Sequence, residues 1–91
     1  MAISCEAMDT YDDDQAALRV RQVIGAELRA ARARVGISQR ELASRTSMSH
    51  ATIRRFENAE RAIDVLQLLK ICSALDADAG QILDIAQDQG Q

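Results

Sequence analysis

The chain has 91 residues, with 11 Lys and Arg against 14 Asp and Glu, a formal charge of −3, 2% aromatic residues and neither Pro nor Trp. A chain of this length builds one small domain, too little to enclose a cofactor in an α/β enzyme. Scarce aromatics argue against a β-sandwich or barrel, whereas Ala, Leu, Arg, Gln and Glu are good helix formers, so an all-α fold is expected.

Cys5 lies in a polar, acidic leader and Cys72 in a periodic apolar segment, which is not the paired framework of a stapled secreted domain. Charges interrupt every apolar run, and the leader lacks the basic start of a secretory signal. A cytoplasmic protein with no membrane partner is therefore expected. The charge is unevenly spread. Residues 1–14 carry Glu6, Asp9, Asp12, Asp13 and Asp14 with no base, and residues 76–91 carry Asp76, Asp78, Asp84 and Asp88. Residues 15–75 hold all 11 bases against five acids, a net of +6, and all of those bases except Lys70 are Arg. Arginine grips phosphates in a bidentate way and reads guanine edges, so the acidic total does not exclude a nucleic-acid partner. The leader, set against this basic body, is expected to compete with DNA for it.

In chain order, the organisation is an acidic leader over 1–11, a helical domain over 12–86 and a frayed tail over 87–91. Val20, Ile24, Leu28, Ala31 and Val35 recur at helical spacing and predict a first helix over 12–35, with Asp12, Asp13 and Asp14 at its positive end and Gly36 just past its close. Ser38-Gln39-Arg40-Glu41 reads as a capping box opening a short second helix with Leu42 and Ala43 inward. Thr46-Ser47-Met48-Ser49 closes that helix, because these residues favour caps and turns. Ser49 caps a third helix over His50 to Phe56, with Ile53 and Phe56 on one face. Asp64 and Gln67 open a fourth, whose buried stripe is Val65, Leu68, Leu69, Cys72 and Leu75. Asp78 and Gln81 open a short fifth helix containing Ile82, Leu83 and Ile85.

Two short helices joined by a tight turn, the second with outward polar groups, form a helix-turn-helix, whose second helix can lie in the DNA major groove. Here it spans Gln39 to Phe56. Leu42, Ala43, Met48, Ile53 and Phe56 face inward, while Ser49, His50, Ala51, Thr52, Arg54 and Arg55 face outward. The stretch Ile37-Ser-Gln-Arg-Glu-Leu-Ala-Ser-Arg-Thr-Ser-Met-Ser-His-Ala-Thr-Ile-Arg-Arg-Phe-Glu-Asn58, with Leu68-Leu-Lys-Ile-Cys-Ser-Ala-Leu75 after it, resembles the Cro and phage-repressor (XRE-like) helix-turn-helix family. The likeness runs without gaps from about Ile24 to Ile85 and implies a five-helix, lambda-repressor-like DNA-binding domain.

The resemblance implies roles for particular residues. Gln39 and Ser49 are expected on phosphates, with Arg40, Arg54 and Asn58 beside them; His50, Ala51, Thr52 and Arg55 are the base-reading candidates. Arg32 and Glu57 occupy the positions of a structural ion pair. Ile82, Leu83 and Ile85 are the expected dimer contact, with Leu18 and Val20 of helix one as the alternative. Ser47 and Ala59 stand where the family has glycines, the proline usual before helix four is absent, and Asn58 is expected to supply the left-handed residue. The function implied is a sequence-specific, double-stranded-DNA-binding transcriptional regulator, a homodimeric repressor of an inverted-repeat operator. The alternative is the antitoxin of a toxin–antitoxin pair, binding a partner protein and regulating its own operon. His50 has no second histidine or suitably spaced cysteine, so no enzyme activity, metal or cofactor is expected. Cys72 reads as a small buried hydrophobe.

Overall fold

The structure, a computed structural model, describes residues 14–90. The acidic leader, Cys5, Asp12 and Asp13 lie outside the described residues. Five helices follow in order: α1 (Asp14–Val35), α2 (Gln39–Thr46), α3 (His50–Glu57), α4 (Val65–Leu75) and α5 (Ala79–Gly90). No strand occurs among the described residues.

The helices α2 to α5 each begin where a side chain satisfies an orphan N–H group of the first turn. Ser38 Oγ accepts from Glu41 N at 3.0 Å, Ser49 Oγ from Thr52 N at 3.1 Å, and Asp78 Oδ1 from Gln81 N at 3.2 Å. Asp64 and Gln67 form a complete capping box, each side chain bonding the other's backbone. At Ser38 the box is only half built, because the Glu41 carboxylate pairs instead with Arg45 one turn on, at 2.9 Å.

The first four helices all end on a left-handed residue, and only one of these is glycine: Gly36 (φ 84°), Ser47 (φ 58°), Ala59 (φ 61°) and Asp76 (φ 53°). Asn58 does not take this conformation as expected. It sits at φ −91°, and Ala59 makes the turn, with Glu60 N reaching back to Arg55 O at 2.8 Å. A side chain held left-handed costs about 1–2 kcal/mol, while a glycine there loses somewhat more entropy on folding. Exposed Ser47 makes no side-chain hydrogen bond, so Ser47→Gly is expected to stabilise the domain by about 0.5–1 kcal/mol, read as a rise of a few degrees in melting temperature.

Leu28, Leu42, Ile53 and Ile71 are fully buried. Around them pack Ala31, Ala43, Phe56, Leu68, Cys72, Leu75 and Ile82, with Ile24 and Met48 at the margin. Small Ala43 and Ala31 let the helices approach closely. The long α1 is the spine: it packs against α3, α4 and, most extensively, α5, while α2 packs on α3 and α4.

Four sequence expectations need correction. Val65 and Leu69 are exposed, and Ile71 takes the core position instead, since the buried arc of α4 runs through Leu68, Ile71, Cys72 and Leu75. Val35, the last residue of α1, turns to solvent. On α5, Ile82 belongs to the core together with Ala86, which leaves Leu83 on the surface and Ile85 half-buried. The helix also continues through Gly90, so residues 87–90 are helical where a frayed tail was expected.

Candidate nucleic-acid interface

α2 and α3 meet across the turn at Ser47 and Met48. Met48 N bonds back to Ala43 O at 3.0 Å, and the inward residues Leu42, Ala43, Ile53 and Phe56 are all buried between the two helices and α1. This fixes the angle of α3 and leaves its opposite face open.

Beneath that face lies a polar cluster centred on Glu57, whose side chain is only 1% exposed. Arg32 donates to both carboxylate oxygens, Nε to Oε2 at 2.7 Å and Nη2 to Oε1 at 2.9 Å, and its Nη1 also holds Ile37 O at 3.0 Å. Gln39 Nε2 donates to Glu57 Oε1 at 3.0 Å, and the Arg29 guanidinium stands 3.7 Å from the same oxygen. Burial alone pushes the Glu57 carboxyl up; the hydrogen bonds from Arg32 and Gln39, with the charges of Arg32 and Arg29, outweigh it and hold the group below its ordinary range. The hydrogen bonds from Arg32 to the carboxylate raise the guanidinium in turn. The pair stays charged at neutral pH.

The cluster reaches the surface through Gln39. With its amide nitrogen held by the carboxylate, its oxygen faces His50, and His50 Nε2 lies 3.0 Å away. Because the Gln39 oxygen can only accept, the ring donates from Nε2 and turns Nδ1 away from Gln39. Thr52 Oγ1 lies 2.8 Å from Ser49 Oγ. Ala51 and Thr52 are half-buried, whereas Ser49, Arg54 and Arg55 stand exposed on α3 and Arg40 stands exposed on α2. Neither Arg40, Arg54 nor Arg55 has a carboxylate partner among the described residues. Arg40 near the start of α2 and Arg54 and Arg55 in the last turn of α3 are thus exposed guanidiniums free to take anions.

Two arginines that the sequence reading passed over hold the far end of α3. Arg29 Nη2 donates to Glu57 O at 3.0 Å and to Asn58 Oδ1 at 3.1 Å, and Arg21 Nε donates to Ala59 O at 3.3 Å. These bonds satisfy carbonyls at the negative end of the helix dipole. Between them, buried Gly25 lets α1 lie directly on that end, since a Cβ there would stand 2.6 Å from Glu57 O and 2.7 Å from Phe56 O. The signal was present in the sequence: Arg21, Gly25, Arg29 and Arg32 recur at three- and four-residue spacing on one helical face. Arg61 also stacks over Phe56, 5.8 Å from the ring centroid. Cys72 is buried in the core, and burial, then the charge of Asp78, pushes its thiol up. Among the described residues no group of three or more His, Cys, Asp or Glu side chains could hold a metal ion, and no helix is long and apolar enough to cross a membrane.

A buried helix pair presenting an anchored, basic second helix is the DNA-binding helix-turn-helix arrangement. The helix-turn-helix domain family matches residues 23–83, and the chain belongs to it, in the Cro and phage-repressor (XRE-like) type. Among solved structures, the clp gene regulator ClgR from Corynebacterium glutamicum is 30% identical with a TM-score of 0.70, over 76% of this chain and 90% of that one. The restriction-modification controller protein C.AhdI from Aeromonas hydrophila is 27% identical with a TM-score of 0.66, over 77% of this chain and 99% of that one. No curated protein matches the sequence. The fold is thus that of helix-turn-helix DNA-binding regulators, and these neighbours are regulatory proteins and not enzymes.

Proposed function

We propose that the protein is a sequence-specific, double-stranded-DNA-binding transcriptional repressor that acts as a homodimer on an inverted repeat. The observation that carries this reading is the face of α3, where Arg54 and Arg55 stand unpaired beside an anchored His50 while the one acid of the helix, Glu57, is buried and neutralised. The similarity to a clp gene regulator and a restriction-modification controller supports a regulatory role.

In this reading α3 enters the major groove. Arg55 suits guanine O6 and N7, and His50, held through Nε2 by Gln39, offers its other ring edge to a base. Thr52 and Ala51 offer methyl contacts to thymine. Phosphates fall to Ser49, Arg40, Arg54 and the second amide hydrogen of Gln39, and to the amide of Asn58, whose oxygen is already taken by Arg29. Two copies related by a twofold place their helices in successive major grooves about 34–36 Å apart. The 12–86 segment acts as the DNA-binding domain of a cytoplasmic protein. It needs no cofactor.

Arg55→Ala and Arg40→Ala separate the two kinds of contact. On a selected operator, Arg55→Ala is expected to weaken binding by about 5- to 150-fold, corresponding to roughly 1–3 kcal/mol, and to relax preference at one base position. Arg40→Ala is expected to weaken binding evenly across sequences and to lower the salt slope by about one. Fluorescence anisotropy over a salt series reads both. Equal, sequence-independent losses from the two variants would remove Arg55 from base reading.

A further inference from the structure

On α4 the apolar residues are not used up by the core. Val65, Leu66 and Leu69 are 69%, 68% and 51% exposed, adjacent on one side of the helix, while the core takes Leu68, Ile71, Cys72 and Leu75 from the other. We infer that this face of α4 binds a second copy of the chain, α4 against α4 in antiparallel orientation, with Leu66 of each copy on Leu69 of the other. The inference rests on the dimeric reading above and names its surface.

Two features select a second copy over another partner. First, the face carries both signs of charge: exposed Asp64 at the N-cap of α4 and exposed Lys70 beyond Leu69. In a twofold contact residue i meets residue j while j meets i, so a pairing centred between Leu66 and Leu69 sets Lys70 opposite Val65, one position from Asp64 of the other copy. The same face is thereby complementary to itself, whereas a seat for an acidic peptide would be flanked by bases alone. Second, the patch has no hydrogen-bond donor among its three apolar side chains, so it offers nothing to a phosphate backbone. Exposed Ser73, one helical turn past Leu69, is small enough to admit a close helix crossing.

Size sets the strength. Three aliphatic side chains offer a few hundred Å² per copy, against roughly 800 Å² per partner in a stable interface, so the dimer is weak in solution and is completed on DNA. Exposed Leu83 on α5 is the competing surface, and it stands without a second large exposed hydrophobic residue on its helix.

The test is sedimentation velocity of the full chain from micromolar to millimolar concentration, with Leu66→Glu/Leu69→Glu and Leu83→Glu compared, and circular dichroism confirming that each variant folds. The expected result is reversible self-association of the parent and of Leu83→Glu, weakened about tenfold or more in the double variant. Lys70→Glu, which leaves the apolar patch intact, is expected to weaken it too by setting like charges face to face. A parent that stays monomeric throughout, or a dimer lost in Leu83→Glu and kept in the double variant, overturns the inference. Binding of the same proteins to selected DNA separates the two readings: a monomer that still binds a half-site overturns only the α4 surface, whereas loss of DNA binding by the parent overturns the repressor reading.

Discussion

Arg32→Ala is expected to destabilise the domain by about 3–5 kcal/mol, because it leaves a buried carboxylate without its main partner. Glu57 is 1% exposed and takes two of its hydrogen bonds from this one guanidinium, while Arg29 stands 3.7 Å away and is itself half exposed. The loss is a large part of the roughly 5–15 kcal/mol that a domain commands. It corresponds to a fall of roughly 12 °C or more in melting temperature for a chain of this size. The pH dependence distinguishes this origin from simple loss of packing. In the parent, Glu57 is held below its ordinary value of about 4.5, so its contribution is complete above that pH and is lost as the pH falls through the lower folded value. Without Arg32, burial dominates and the carboxyl rises, so this source of acid instability shrinks or reverses. Thermal unfolding of both proteins from neutral to acid pH is expected to show the parent losing its advantage on acidification. A constant gap at every pH would assign the effect to packing instead.

Gly25→Ala pits local preference against tertiary contact. In the interior of a helix the change is worth about 1 kcal/mol in favour of Ala. Here the added Cβ would stand 2.6 Å and 2.7 Å from two backbone carbonyl oxygens at the end of α3, neither of which can rotate away. Relief requires α1 to move off α3, against the hydrogen bonds from Arg21, Arg29 and Arg32. Overpacking typically costs about 1–3 kcal/mol, and with both clashing atoms in the backbone the cost falls at the upper end, for a net loss of about 2 kcal/mol. Because the displaced element is the recognition helix, DNA affinity is expected to fall as well. Chemical denaturation measures the first effect, and a variant as stable as the parent would show that α1 can shift without loss.

The elements were legible because their ends carry chemistry. Ser38, Ser49, Asp64 and Asp78 each sit where a helix begins, and Gly36 where one ends. The buried stripe of α4 is not legible in the sequence, because Leu66, Leu69 and Ile71 are equally apolar and only the packing of α1 and α2 decides which arc faces the core. Ala59 in place of Asn58 as the left-handed residue was hidden for a similar reason: local preference favours Asn, but the bonds from Arg21 and Arg29 to the end of α3 set the backbone there. The outward face of α3 followed from helical spacing alone. The hydrogen-bonded line from Arg32 through Glu57 and Gln39 to His50 did not, because its members lie on three helices up to 25 residues apart in sequence.

Sequence-specific duplex reading by α3 is tested by selection from a random double-stranded DNA library with the full chain at two salt concentrations. The expected result is one enriched palindromic site, its half-sites centred about one helical turn apart, bound with an affinity that falls steeply with salt. A library that emerges without an enriched sequence at either salt concentration would contradict it.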